Sequence, residues 1–179
     1  FQHTTGNTKF IITACRFDKG KGLEFLVKSF IYLRDVDIKL LIIGDGEERK
    51  NIETLIESGD LKEKIAILNW QNNIYDFIYS CDFYISTSTN EGLGNAYLAS
   101  HLLGKSSLCS NIPASLELNS VFSKGKSFDL NDKDISEKIR KIYYAEKEND
   151  KVDYDIINKF TFENCFEKYL NLINKSIGS

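Results

Sequence analysis

At 179 residues, with 42% hydrophobic and 27% charged residues, the chain has the size and balance of one soluble domain with a single substantial core. Twenty-three basic against 26 acidic residues leave a formal charge of −3, and the lysine pairs Lys62/Lys64 and Lys124/Lys126 read as solvated turns, so a basic stripe for nucleic acid is excluded. No apolar run approaches the roughly 20 residues that a membrane-spanning helix needs, and the first residues lack the pattern of a signal peptide.

Cys15, Cys81, Cys109 and Cys165 are widely spaced, with no CxxC pair and no Cys/His cluster at metal-ligand spacing. The first three sit in or beside apolar runs and read as buried reduced thiols, which implies a cytoplasmic setting. The chain has no methionine and begins at Phe1, a residue too large for ordinary initiator removal. The expectation is a piece of a longer protein, with residues 1–8 a linker remnant and 9–179 one domain.

Strands and helices alternate along the chain. Residues 9–15 (KFIITAC) read as a buried strand, and 21–33 as a helix with Leu23, Leu26, Val27, Phe30 and Ile31 inward. A second strand at 38–43 (IKLLII) is stopped by Gly44-Asp45-Gly46, read as a plain turn. A helix follows at 47–57 with Ile52, Leu55 and Ile56 inward. Then come a strand at 64–68, a short helix at 74–79, a strand at 82–86, a helix at 94–103, a strand at 106–109 and a sixth strand at 127–130. Asp134-Ile135-Ser136-Glu137 has capping-box spacing before a helix running to Tyr144. Phe162, Cys165, Phe166, Tyr169, Leu170, Leu172 and Ile173 trace a final amphipathic helix. The alternation predicts an α/β fold: a doubly wound, Rossmann-like parallel sheet of about six strands with helices on both faces.

In the common strand order 3-2-1-4-5-6, ligands bind where the order reverses, at the carboxyl ends of strands one and four. The loops leaving those strands are the richest in polar residues and glycine. The first, Arg16-Phe17-Asp18-Lys19-Gly20-Lys21-Gly22, ends at a helix N-terminus and carries Arg16 and Lys21, two cations suited to a diphosphate; Lys19 reads as exposed. A solvated surface turn is the competing reading. The second loop, 87–95, holds Glu91, a carboxylate among donors suited to anions. Glu91 fits sugar hydroxyls or positive charge developing at an anomeric carbon, and equally a helix-flanking Glu satisfied by the macrodipole. Trp70-Gln71-Asn72 offers an aromatic face and amides to a base, or a half-buried surface Trp. His101 reads as a satisfied mid-helix histidine, and Glu117 as a crevice residue or a helix cap.

Five segments then carry a resemblance. RFDKGKG at 16–22, IIGDGEE at 42–48, ILNWQ at 67–71, STSTNEGLGN at 86–95 and SNIPASLE at 110–117 stand in order and at familiar spacings. The chain resembles the C-terminal domain of retaining glycosyltransferases with two facing Rossmann-like domains (the B-type fold), group 1 or family 4. The resemblance implies that Arg16 and Lys21 hold the donor diphosphate and that Glu91 contacts the transferred sugar. It places Gly92, Leu93, Gly94 and Asn95 against sugar or phosphate, and the Leu68–Trp70 segment against the base. It implies no metal or other cofactor.

The implied partners are a nucleotide-sugar donor, an absent N-terminal half that lodges a glycan or lipid-linked acceptor, and no nucleic acid. Attachment to the inner face of the membrane through that half is implied too. Richness in Lys, Asn and Ile points to an AT-rich bacterial genome and to surface polysaccharide synthesis. One departure stands out: Ala99 occupies the donor-site position where the family carries a second Glu for the ribose, a loss of about 1–3 kcal/mol of charged hydrogen bonding. Cys15 likewise replaces the usual Gly. A non-catalytic domain acting as partner or scaffold is therefore the alternative. A nicotinamide-dependent oxidoreductase is disfavoured because no G-x-G-x-x-G follows the first strand.

Overall fold

The computed structural model describes residues 8–122, 125–145, 158, 160, 161, 163, 164, 166 and 167. Six parallel strands form one sheet: β1 (Lys9–Ala14), β2 (Ile38–Ile43), β3 (Ile65–Leu68), β4 (Phe83–Ser86), β5 (Ser106–Ser110) and β6 (Gly125–Phe128). Their order is β3-β2-β1-β4-β5-β6, the doubly wound arrangement expected, with reversal between β1 and β4. Between them run α1 (Leu23–Ser29), α2 (Arg49–Ser58), α3 (Ile74–Ser80), α4 (Asn95–Leu102), α5 (Pro113–Val121) and α6 (Asp132–Tyr144).

The two-residue period of the strands divides the core. Ile11, Leu40, Ile42, Phe83, Ile85 and Leu108 point to one face, where α1, α2 and α6 cover them. Ile12, Leu41, Ile43, Tyr84 and Cys109 point to the other, packed with Ile78 of α3, Tyr97 and Ala99 of α4 and Leu118 of α5. Strands apolar on both faces need helices on both, which is why the runs IITA and LLII lack polar alternation.

Several local expectations are corrected. Ile31 is 44% exposed, because the helix tightens to a 3-10 turn over Phe30–Leu33 and three residues per turn swing it outward. Lys64 does stand in a turn, but half-buried rather than solvated: its ammonium donates to the carbonyl of Val36, and burial lowers its pKa. The α6 cap is Asn131, whose Oδ1 accepts from Asp134 N at 2.9 Å, while Asp134 Oδ2 accepts from Asp129 N at 2.7 Å. Asp134 thus lies inside the helix, which starts about one turn before the place where the Asp134–Glu137 spacing put it. The sixth strand begins at Gly125, and α5, with Pro113 at its first turn, had no counterpart in the sequence reading. Most of the final amphipathic helix, including Cys165, Tyr169 and Leu170, falls outside the described residues.

His101 is the other correction. It is 5% exposed, and among the described residues neither ring nitrogen has a hydrogen-bond partner. Aromatic packing holds it instead: the ring stacks on Phe122 at 4.7 Å and meets Tyr97 edge-on at 4.6 Å. Burial pushes the imidazole down to about 4 from an ordinary 6.5. Above pH 6.5 the ring is neutral in both folded and unfolded chains. As pH falls from 6.5 to 4 only the unfolded chain gains the proton, so stability drops by about 3 kcal/mol across that window. Urea unfolding at pH 7 and pH 4 is expected to show this extra acid loss in the wild type and not in His101→Leu. Equal acid losses in the two would contradict the assignment.

Candidate active site

The carboxyl ends of β1 and β4 open on a cleft of about 450 Å³. Its lining includes Arg16 and Lys21 from the loop after β1, Trp70 and Gln71 after β3, and Ser88, Glu91, Gly94 and Asn95 after β4. The switch point of the sheet therefore brings together the loops that the sequence singled out.

The loops after β1 and β4 are bound to each other. Thr89 N donates to the carbonyl of Gly20 at 2.8 Å, and Thr87 Oγ1 to that of Lys21 at 2.8 Å. Gly22, at φ 58°, closes the junction: a Cβ there would stand 2.3 Å from the carbonyl oxygen of Thr87. Lys21 Nζ then reaches Glu91 Oε1 at 2.6 Å, and Ser88 Oγ donates to the same oxygen at 2.7 Å. With side chains 19% and 22% exposed, this pair is more shielded than the surface ion pairs that contribute about 0–1 kcal/mol. Among the described residues Oε2 of Glu91 has no partner.

Arg16 is freer. Its side chain is 78% exposed, with only a 4.0 Å contact to Asp18. Beside it, Cys15 lines the cleft as a protonated thiol, because burial pushes its pKa up to about 12 despite the nearby Lys21. Opposite, α4 starts at Gly94 with no side-chain cap, and Gly94 to Tyr97 line the cleft, so the first-turn N–H groups remain available to an anion or hydroxyl. Tyr84 carries the floor: its hydroxyl accepts from Ala14 N at 3.3 Å and lies 3.2 Å from Ala14 O.

The remaining sequence candidates fall elsewhere. Gly92 and Leu93 are exposed and do not line the cleft. Leu68 is partly buried against the core, its carbonyl accepting from Gly44 N at 2.9 Å. Ala99 is 9% exposed and packed in the core under α4, not on the cleft wall. Trp70 is 69% exposed rather than half-buried, and Lys19 is exposed as expected. Glu117 is exposed on α5, neither a cap nor a cleft residue.

Ser88 and Tyr75 are among the lining residues that escaped the sequence reading. Ser88 passed as one polar loop residue among several, and only the fold shows it gripping Glu91. Tyr75 is 60% exposed at the start of α3. A helical wheel that sends Ile74, Phe77 and Ile78 inward leaves Tyr75 outward, so that signal was available. Among the described residues no group of three or more His, Cys, Asp or Glu side chains is placed to hold a metal ion, and no helix is long and apolar enough to cross a membrane.

Residues 1–158 match the family model described as glycosyl transferases group 1. Over 92 residues the chain is 35% identical to the N-acetylgalactosamine-N,N'-diacetylbacillosaminyl-diphospho-undecaprenol 4-alpha-N-acetylgalactosaminyltransferase of Campylobacter jejuni, covering 51% of this chain and 25% of that one. It is 28% identical over 160 residues to the O-antigen biosynthesis glycosyltransferase WclY of Escherichia coli, covering 87% and 44%. The chain thus spans between a quarter and half the length of these relatives. Anabaena HepE, solved in complex with UDP and glucose, superposes with TM-score 0.81 at 16% identity, over 94% of this chain and 49% of that one. A mutant of Staphylococcus aureus TarM, solved with UDP among its ligands, superposes with TM-score 0.80 at 21% identity over 94% and 36%. At such identities the superpositions establish the fold.

Proposed function

Because the chain belongs to the group 1 glycosyl transferases, whose model it matches over residues 1–158, we propose that it is the donor-binding half of a retaining glycosyltransferase. Its substrate is a nucleoside-diphosphate sugar, and its acceptor a glycan or lipid-linked glycan. The observation that carries this reading is the convergence of Arg16, Lys21, Glu91 and the uncapped first turn of α4 on one cleft. Cations and helix N–H groups suit the diphosphate, while a carboxylate with one unpaired oxygen suits sugar hydroxyls.

In the reaction, Arg16 and Lys21 stabilise the departing diphosphate as its bond to the anomeric carbon breaks. Lys21 shifts part of its charge from Glu91 to the phosphate, and Glu91 orients the sugar through its free oxygen. A bond from the acceptor oxygen forms on the same face of the sugar, and the acceptor proton passes to the leaving phosphate. In this scheme the two cations and the helix terminus take the place of a metal ion. The acceptor docks on a second half, which accords with relatives at least twice as long. The relatives' roles in O-antigen and undecaprenyl-linked glycan assembly support cytoplasmic work on a bacterial surface polysaccharide, at the inner face of the membrane through that second half.

The alternative reading is a non-catalytic domain serving as partner or scaffold; Ala99 does not favour it, because its side chain packs in the core and not on the cleft wall. A titration of the 179-residue chain with UDP, GDP and ADP, followed by amide NMR shifts, separates binding from its absence. Weak binding with shifts in residues 16–22 and 91–95 is expected, without turnover. No shift in either loop with any of the three nucleotides would sink the donor-site reading.

A further inference from the structure

Arg49 opens α2 outside the cleft, yet its guanidinium ties together the loops that leave β1, β2 and β3. Nε donates to Asp45 Oδ1 at 2.8 Å, and Nη1 to Glu53 Oε1 at 3.1 Å. Nη2 donates to the carbonyl of Gly44 at 3.4 Å and to Asn69 Oδ1. The same group lies 5.6 Å over the ring of Phe17. Asn69 directly precedes Trp70, and Phe17 directly follows Arg16. One side chain thus holds both ends of the proposed donor site at one remove.

The two attachments differ in weight. The Phe17 loop has supports of its own: Phe17 N donates to the carbonyl of Asp45 at 2.8 Å, Glu48 N donates to the carbonyl of Phe17 at 3.0 Å, and the ring is fully buried. The turn at 69–71 has much less. Trp70 is mostly exposed, so core packing does not fix it. Gln71 Nε2 bonds only within the turn, to the carbonyl of Asn69 at 3.0 Å. Among the described residues the Arg49–Asn69 bond is the one side-chain hydrogen bond joining this turn to the rest of the domain.

We infer that Arg49 is a positioning residue for the nucleoside end of the donor, holding the Asn69–Trp70 turn so that the indole presents a fixed face to the base. This rests on the donor-site reading above. The role calls for a planar fork with several fixed donors. A lysine in its place keeps the ion pair with Asp45 but does not reach Asn69 and Gly44 at the same time. The structure of the phosphate end survives the change, because its backbone bonds do not involve Arg49.

Trp70 is the chain's single tryptophan, so its fluorescence reports on this turn alone. The test titrates the wild type, Arg49→Ala, Arg49→Lys and Asn69→Ala with the tightest binding of UDP, GDP and ADP, and separately with inorganic pyrophosphate. Each variant is expected to weaken the nucleotide about tenfold, the effect of losing one well-placed hydrogen bond to a charged group. Pyrophosphate affinity stays within about twofold, and Trp70 anisotropy in the free protein falls. Glu53→Ala, which removes only the pairing along the helix, leaves both unchanged. An Arg49→Lys protein with wild-type nucleotide affinity and anisotropy would overturn the inference. So would equal losses for nucleotide and pyrophosphate, which would make Arg49 a general support of the loops. A wild-type chain that binds no nucleotide overturns the donor-site reading and takes this inference with it.

Discussion

Lys21→Ala in the full-length protein is expected to lower sugar transfer by about 10²–10³-fold, the loss typical for one electrostatic donor at a transition state. Two effects act together. The departing diphosphate loses a cation whose bond to the charged group contributes about 1.5–3 kcal/mol. Glu91 also loses the partner that neutralises it at 2.6 Å and is left with Ser88 alone, a bare carboxylate facing incoming phosphates. Glu91→Gln separates these effects. It frees Lys21 for the phosphate, so affinity for the bare nucleoside diphosphate holds or rises while transfer falls by a similar factor. In the double variant, Glu91→Gln restores part of the nucleotide affinity that Lys21→Ala removes, and the coupling energy measures the pair. The checks are steady-state rates and calorimetric nucleotide titrations. Full transfer by both single variants would place the catalytic groups elsewhere, and loss of binding without any transfer in the wild type would favour the scaffold reading.

Gly44→Ala is expected to cause the largest loss of stability among substitutions in these loops. Gly44 follows β2 at φ 144°, and a Cβ there would stand 1.9 Å from the carbonyl oxygen of Cys15 and 3.0 Å from the Phe17 ring. The backbone of Cys15 cannot yield without breaking its bond to Ile43 O at 3.1 Å and displacing Arg16. Strain and overpacking together cost about 3 kcal/mol. That lowers the melting temperature by roughly 6–12 °C in a domain of this size. Nucleotide affinity falls with it, because the displaced segment carries Arg16. Gly92→Ala, where a Cβ meets nothing within 4 Å, leaves the melting temperature unchanged. Calorimetry on the two variants checks the contrast, and equal melting temperatures would contradict it.

The same Gly44-Asp45-Gly46 segment shows what was legible in the chain and what was not. As a string it reads as a turn ending a strand; in the structure it is a loop that ends β2, with the turn itself at Glu47 and Glu48. That this segment also supports the loop after β1, through Phe17 and Arg49, is a tertiary fact with no local signature. The first strands were legible because runs such as IKLLII are apolar on both faces, and such runs separated by helices admit few sheet orders. Ile31 and Asn131 show the limit at helix ends, where a switch to a 3-10 turn or a choice between Asn and Asp caps depends on contacts outside the segment. Within the site, Arg16, Lys21 and Glu91 were legible as residue types on facing loops. The Lys21–Glu91 pairing was not, because the sequence supplies both charges and says nothing of their distance. Leu68 and Ala99, which the resemblance to the family put at the donor site, pack against the core instead.

A crystal of the 179-residue chain grown with the nucleoside diphosphate that binds tightest tests the donor site most directly. The account predicts the diphosphate in the cleft between β1 and β4, within hydrogen-bond reach of Arg16, Lys21 and the first-turn N–H groups of α4, with the base beside Trp70. A nucleotide seated instead in the lysine-lined groove by β6, at Lys126, Lys138 and Lys141, with the Lys21–Glu91 pair untouched, would contradict it.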